Sequence, residues 1–279
     1  MAFNPTQAVV HNEGCDLHYW YQGQGPLVFF IPGGNGHGRQ YNPIITALSD
    51  RFTCATFDRR GMSASKVAVN KRLNPGQQAR DIFTIVKDMG FDKGIFFGSS
   101  LGGKLGYVLA IDYPELIEHL IVHEAPIIDL LPNHSEFFEW FLNTLEVRDT
   151  QGWEAARPIF LEKFVGFDRT PEELAVRPRA QPERENDVNF YANEIEIATM
   201  YSPNLHAIKE NGTSVGIMRG ERSGDAFYAV STYGQAQILG CPRLDVPGHH
   251  LGFESEVDAF VPHFYKMLDI LEARKTDGK

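Results

Sequence analysis

The residues best placed to do chemistry lie in the stretch Lys93–Gly103, KGIFFGSSLGG. An apolar run ends there in Gly98-Ser99-Ser100-Leu101-Gly102 and gives way at once to a helical pattern. Small residues at that point could simply let a helix pack closely on a strand. They also fit G-x-S-x-G, in which a serine is held on a strained strand-to-helix turn whose flanking glycines avoid clashes. The helix start would aim free N–H groups and a positive dipole end at the same place. Ser100 has glycine two residues away on both sides and is the candidate nucleophile; Ser99 does not, and reads as a local hydrogen-bonding residue.

A serine hydroxyl at neutral pH needs a base in reach, and a third group to fix the base's tautomer. His249 and His250 stand in VPGHHLGF, between a short strand and the final helix. Two acids compete for the third role. Asp225 follows the strand-like run TSVGIMRG, whereas Glu124 ends the run LIVHE and precedes Ala125-Pro126. A carboxylate buried at a strand end is costly unless it has a partner such as an imidazole; a salt bridge anchoring the following segment would be the plainer explanation.

Positioning these groups requires a scaffold, and the chain alternates short apolar runs with helical stretches. Leu27–Pro32, Phe52–Asp58, Gly94–Ser100 and Leu120–His123 read as strands. Ala79, Ile82, Ile85, Val86 and Met89 recur at helical spacing, and a second helix stops at Pro114. Such alternation implies an α/β fold with a mostly parallel sheet covered by helices on both faces. Asp16–Gly23 reads as an antiparallel edge strand or hairpin arm. From Ile127 to Asn211 no strand-like run occurs. Asn133 with Glu136 resembles a capping box, Thr170-Pro171-Glu172-Glu173 a helix start, and Asn186–Pro203 a further helix. The expected organisation is therefore a core of residues 1–126 and 212–279, with a helical lid, 127–211, inserted between them.

Taken together, the serine turn, the late Gly-His-His loop and the closing Asp258-Ala259-Phe260 resemble the α/β-hydrolase family. FDRRGMSAS is similar to that family's D-x-R-G-x-G-x-S turn. The resemblance implies the chain order serine, acid, histidine, and the spacing back from Asp258 selects His250, with His249 in reserve. HEAPIIDLLP loosely resembles the zearalenone-type lactone hydrolase branch, which carries its acid here; that favours Glu124 over Asp225. The family commonly has His-Gly-x after its first parallel strand, where this chain has Pro32-Gly33-Gly34. Backbone donors do the work, so the implied oxyanion hole is the N–H of Gly34 and of Leu101, with Gly33 and Asn35 beside the substrate.

Composition removes other classes. The formal net charge of -10 argues against nucleic acid, which needs a basic surface. No apolar run approaches the roughly 20 residues of a membrane span, and no secretory signal is visible at the start. Three widely spaced cysteines, Cys15, Cys54 and Cys241, suggest reduced thiols and a cytoplasmic location. His119 and His123 are four apart but lie in a strand, where that spacing does not converge; His123-Glu124 does not continue to H-E-x-x-H, and no Cys pair has zinc spacing, so no metal is expected. The glycines after Leu27–Ile31 miss the G-x-G-x-x-G offsets, so no dinucleotide cofactor is expected. The expected function is cofactor-independent hydrolysis of an ester or lactone. Phe137, Trp140, Phe141 and Trp153 would line an apolar pocket for a hydrophobic substrate, within a lid that also carries Phe138, Phe160 and Phe164. Carbon–carbon or amide cleavage on the same fold, and a slowly hydrolysing ligand receptor, are the alternatives. A homodimer is left open.

Overall fold

The computed structural model describes residues 2–168 and 183–276. Among them, one eight-stranded sheet runs in the order β1-β2-β4-β3-β5-β6-β7-β8. The strands are β1 (Thr6–Asn12), β2 (Cys15–Gln22), β3 (Leu27–Ile31), β4 (Thr53–Phe57), β5 (Gly94–Ser99), β6 (Ile117–His123), β7 (Val215–Gly220) and β8 (Arg243–Val246). β1 pairs antiparallel with β2, and β2 with β4; every other neighbouring pair is parallel. The expected hairpin arm is β2. Its partner β1 is an addition to the sequence reading, because its side chains face solvent or are half-buried and give no apolar run.

Helices α1 (Asn42–Leu48), α2 (Pro75–Asp88) and α3 (Leu101–Asp112) follow successive strands. The strands alternate by face, as a pleat requires. Leu27, Phe29 and Ile31 join a core under α2 and α3 with Ile82, Ile85, Leu105 and Leu109. Val28 and Phe30 join the opposite core with Ile44, Leu48, Phe260, Phe264 and Leu271. The side chain of Asn74 caps α2 by accepting from the Gln77 N–H at 3.1 Å.

Between β6 and β7 the chain leaves the sheet. It forms α4 (His134–Gln151), α5 (Trp153–Leu161), α6 (Glu183–Asn189), a π-helical turn at Phe190–Glu194, α7 (Ile195–Met200) and α8 (Leu205–Glu210). Asn133 occupies the N-cap of α4 but makes no side-chain cap bond, so the expected capping box does not form. The helix start expected at Thr170–Glu173 lies outside the described residues. This segment has its own apolar cluster, in which Phe137, Phe141, Phe160, Tyr191 and Ile195 meet Phe227 and Tyr228. The latter two come from α9 (Phe227–Leu239), the helix after β7. The chain closes with α10 (Gly252–Ser255) and α11 (Val257–Thr276). No helix among the described residues is long and apolar enough to cross a membrane. All three cysteines are free thiols, Cys15 and Cys54 buried and Cys241 half-buried.

Candidate active site

Parallel strands open a crevice at their carboxyl ends, and the candidate residues are delivered there by consecutive strands. Register puts Ile31 beside Gly98, Ser99 beside His123, and His123 beside Met218. Gly33 and Gly34 leave β3, Ser100 leaves β5, Glu124 leaves β6, and His250 follows β8.

Ser100 is the N-cap of α3, with φ 58° and ψ −127°. A left-handed φ is unusual for serine and is held by its surroundings. The Ser100 N–H donates to the His123 carbonyl at 2.9 Å, and the Ser100 carbonyl accepts from the Gly103 N–H at 3.0 Å. The flanking glycines are sterically required. A Cβ at Gly98 would lie 2.3 Å from the Gly102 carbonyl oxygen, and one at Gly102 would lie 2.0 Å from the Ile31 carbonyl oxygen. Leu101 is the first residue of α3, so its N–H belongs to the turn that has no intrahelical acceptor. The Gly33 Cα hydrogens face the serine, since a Cβ there would sit 3.4 Å from the Ser100 Cβ.

Glu124 also has a left-handed backbone, φ 49°, and its side chain is fully buried. One carboxylate oxygen, Oε1, accepts from the Gly220 N–H at 2.8 Å; the other, Oε2, lies 2.9 Å from His250 Nδ1. Burial pushes this carboxyl up. The neighbouring His123 and His250 imidazoles and the His250 hydrogen bond outweigh that and hold it below the usual carboxylate range. With Glu124 ionised, the short contact requires a proton on His250 Nδ1, and in the neutral imidazole that tautomer leaves Nε2 as a lone-pair acceptor. The His250 side chain is 5% exposed and packs against Tyr228 and Phe164, with ring centroids 4.0 and 5.4 Å away.

The alternatives separate cleanly. Asp225 is exposed and lines a different hollow with Asn133, Lys163 and Val230, one that His250 does not line. His249 turns aside; its Nδ1 accepts from the Leu251 N–H at 3.1 Å and its ring lies on Phe167. Ser99 points into the interior, its hydroxyl 3.1 Å from His123 Nδ1. His123 is sealed between Phe97, Phe253 and Phe260, and burial holds its pKa down to about 4 although Glu124 opposes this. Its Nε2 has no hydrogen-bond partner. Among the described residues no group of three or more His, Cys, Asp or Glu side chains could hold a metal ion.

Ser100, Leu101, Gly33, Gly34, Asn35 and His250 all line one cavity of about 200 Å³. Its walls differ from those expected. Phe137, Trp140, Phe141 and Trp153 do not line it; they form the layer behind, with Phe137 on Phe227 at 4.8 Å and Trp153 on Tyr191 at 6.0 Å. The apolar wall comes instead from Phe160, Phe164, Phe190, Tyr191 and Phe227. α4 packs on α5 and the start of α9, so its aromatic side chains are spent on holding the inserted segment together. Arg157 and Asp187 add a buried polar pair to the wall, Nε to Oδ2 at 3.7 Å; sequence alone gave no sign of it, since the partners are 30 residues apart in helices of mixed polarity.

Known proteins share this fold. The model of the alpha/beta hydrolase fold family matches residues 26–204. An uncharacterized hydrolase of Bacillus subtilis, YraK, is 24% identical over 262 residues, covering 92% of this chain and 93% of that one. The enol-lactonase from Burkholderia xenovorans superposes with a TM-score of 0.70 at 18% identity, covering 94% of this chain and all of that one. The carboxylesterase CesB of Bacillus subtilis gives 0.67 at 16% identity, with 95% and 92% covered. With the family model spanning well over half of its length, the chain belongs to the α/β-hydrolase family.

Proposed function

We propose that the protein is a cofactor-independent serine hydrolase that cleaves the ester or lactone bond of a hydrophobic small molecule through an acyl-enzyme. One observation carries the reading: His250, paired with the buried Glu124, and the strained Ser100 turn open onto the same aromatic-walled cavity. Glu124 fixes the proton on Nδ1 of His250. Nε2 then takes the Ser100 proton as Oγ bonds to the substrate carbonyl carbon, whose π electrons move to oxygen. The N–H groups of Gly34 and Leu101 receive that oxyanion. Return of the electrons expels the alkoxide, which takes the proton from Nε2; water, activated by the same nitrogen, then releases the acid and frees Ser100. In this reading the inserted segment, residues 127–211, is a lid that supplies the apolar wall, and the substrate's bulk lies against Phe160, Phe164 and Phe190. The names of the relatives are in keeping with a hydrolase, and an enol-lactonase and a carboxylesterase are among the similar folds.

The test is turnover of a panel of p-nitrophenyl esters and macrocyclic lactones by wild type and Ser100→Ala, with fluorophosphonate labelling mapped by mass spectrometry. Ser100→Ala should fold, lose labelling and lose turnover. Labelling elsewhere, or turnover retained in the variant, would remove Ser100 from the mechanism. Stoichiometric acylation without release would favour the receptor reading.

A further inference from the structure

Behind the oxyanion loop lies an ion pair that the mechanism above does not use. The Arg59 side chain is completely buried and that of Glu194 is 3% exposed. Two guanidinium nitrogens meet the two carboxylate oxygens, Nη1 to Oε1 at 3.1 Å and Nη2 to Oε2 at 2.7 Å. The third donor of the same guanidinium, Nε–H, reaches the carbonyl oxygen of Gly33 at 3.1 Å. Burying such a pair is expensive and seldom favoured over apolar packing, so its retention beside the site calls for a purpose.

From this geometry we infer that Arg59 and Glu194 are positioning residues that aim the oxyanion donor. The inference rests on the serine-hydrolase reading given above. The Gly33 carbonyl and the Gly34 N–H belong to one peptide unit, and trans geometry sets them on opposite edges of its plane. Fixing the carbonyl therefore fixes the direction of the amide hydrogen. The carbonyl is clamped twice, by Arg59 Nε–H and by the Gly36 N–H at 3.0 Å, while the Gly36 carbonyl accepts from the Arg59 N–H at 2.8 Å. Donation to that oxygen also polarises the peptide and strengthens its N–H as a donor.

Arg59 is held in turn by the inserted segment. Glu194 ends the π-helical turn Phe190–Glu194, and the Phe190 ring lies against Gly34, where a Cβ would meet it at 3.0 Å. π-helical turns inside helices often mark functional positions. A second tie runs alongside: Asn186 Nδ2 donates to the Asn35 carbonyl at 2.9 Å, and the Ser63 N–H donates to Asn186 Oδ1 at 2.7 Å. The segment from Asn186 to Glu194 thus sets the alignment of the hole as well as one wall of the cavity. The neighbouring Arg60 plays no part in this; it pairs with Asp81 on the other side of the turn.

The test uses p-nitrophenyl butyrate as substrate and an alkyl trifluoromethyl ketone as inhibitor. Ser100 Oγ adds to the ketone carbon, the carbonyl π pair moves to oxygen, and the serine proton passes to His250, so the adduct places an oxyanion in the hole. Glu194→Gln and Arg59→Lys are compared with the double variant Arg59→Met/Glu194→Met, which removes both charges and keeps the packing. Active-site titration supplies the folded fraction. For each variant kcat should fall about 10- to 100-fold with KM within threefold, somewhat less than deleting an oxyanion donor outright, and the ketone Ki should rise in proportion. A double variant that is folded with wild-type kcat and Ki would show that the pair is structural and overturn the inference while leaving the hydrolase reading intact. A wild type that neither turns over the ester nor takes the ketone would overturn both.

Discussion

Replacing Glu124 by glutamine is the most searching single test of the site, because both carboxylate oxygens are committed as acceptors. Oε1 receives the Gly220 N–H at 2.8 Å and Oε2 receives His250 Nδ1–H at 2.9 Å. An amide has only one oxygen. If it stays on Gly220, the NH2 faces His250, Nδ1 must become the acceptor, and the ring proton moves to Nε2, where the base is needed. If the amide flips, two donors confront each other at Gly220 inside a fully buried pocket. The first arrangement costs less, so the wrong tautomer dominates and kcat should drop about 10⁴-fold, the loss typical when a triad acid becomes its amide. Loss of a charge-assisted bond should also lower stability by about 1.5–3 kcal/mol. Burst titration at constant enzyme, with urea unfolding in parallel, separates the two effects. Asp225→Asn is the control and should leave kcat within twofold. A Glu124→Gln enzyme within tenfold of wild type, or an equal loss in Asp225→Asn, would refute the assignment.

Two further outcomes follow from the packing. His123 is held near pKa 4 by burial, below an unfolded value of 6.5; the unfolded chain therefore binds the extra proton first, and stability present above pH 6.5 is lost as pH falls toward 4. The shift corresponds to roughly 3 kcal/mol, so urea midpoints at pH 7 and pH 4.5 should converge in His123→Phe relative to wild type, and an unchanged pH slope would contradict this. Gly102→Ala drives a methyl group to 2.0 Å from the Ile31 oxygen and should cost about 3 kcal/mol or more, whereas Gly76→Ala, whose nearest neighbour is 3.6 Å away, should be neutral or stabilising by up to about 1 kcal/mol in thermal melts.

What could be read from sequence was whatever is local along the chain. The serine turn, the strand ends and the two histidines occupy short windows whose composition answers to backbone sterics, and the structure sets Glu124 against His250 and brings His250 and Ser100 onto one cavity. Strand β1 leaves no mark in the sequence because an edge strand with solvent on its side chains has no apolar signature. The aromatic residues of α4 differ from expectation for another reason: periodicity tells which face is buried, not whether that face meets another helix or an empty space. Phe137 meets Phe227 of α9 and Phe141 is buried in the same apolar cluster, while Phe160 and Phe190 meet the void. The Arg59–Glu194 pair spans 135 residues and leaves no trace in any window.

The two left-handed residues of the site are not independent. The Ser100 N–H is bonded to the carbonyl of His123, and that carbonyl belongs to the peptide unit leading into Glu124. Each unfavourable torsion is thus pinned by the one next door, and neither can relax while its neighbour stays put. Loosening should accordingly be all-or-none: a molecule that frays here loses the held positions of Ser100 and Glu124 in the same event. On the hydrolase reading proposed above, partly melted forms would be silent bystanders rather than slow or indiscriminate catalysts.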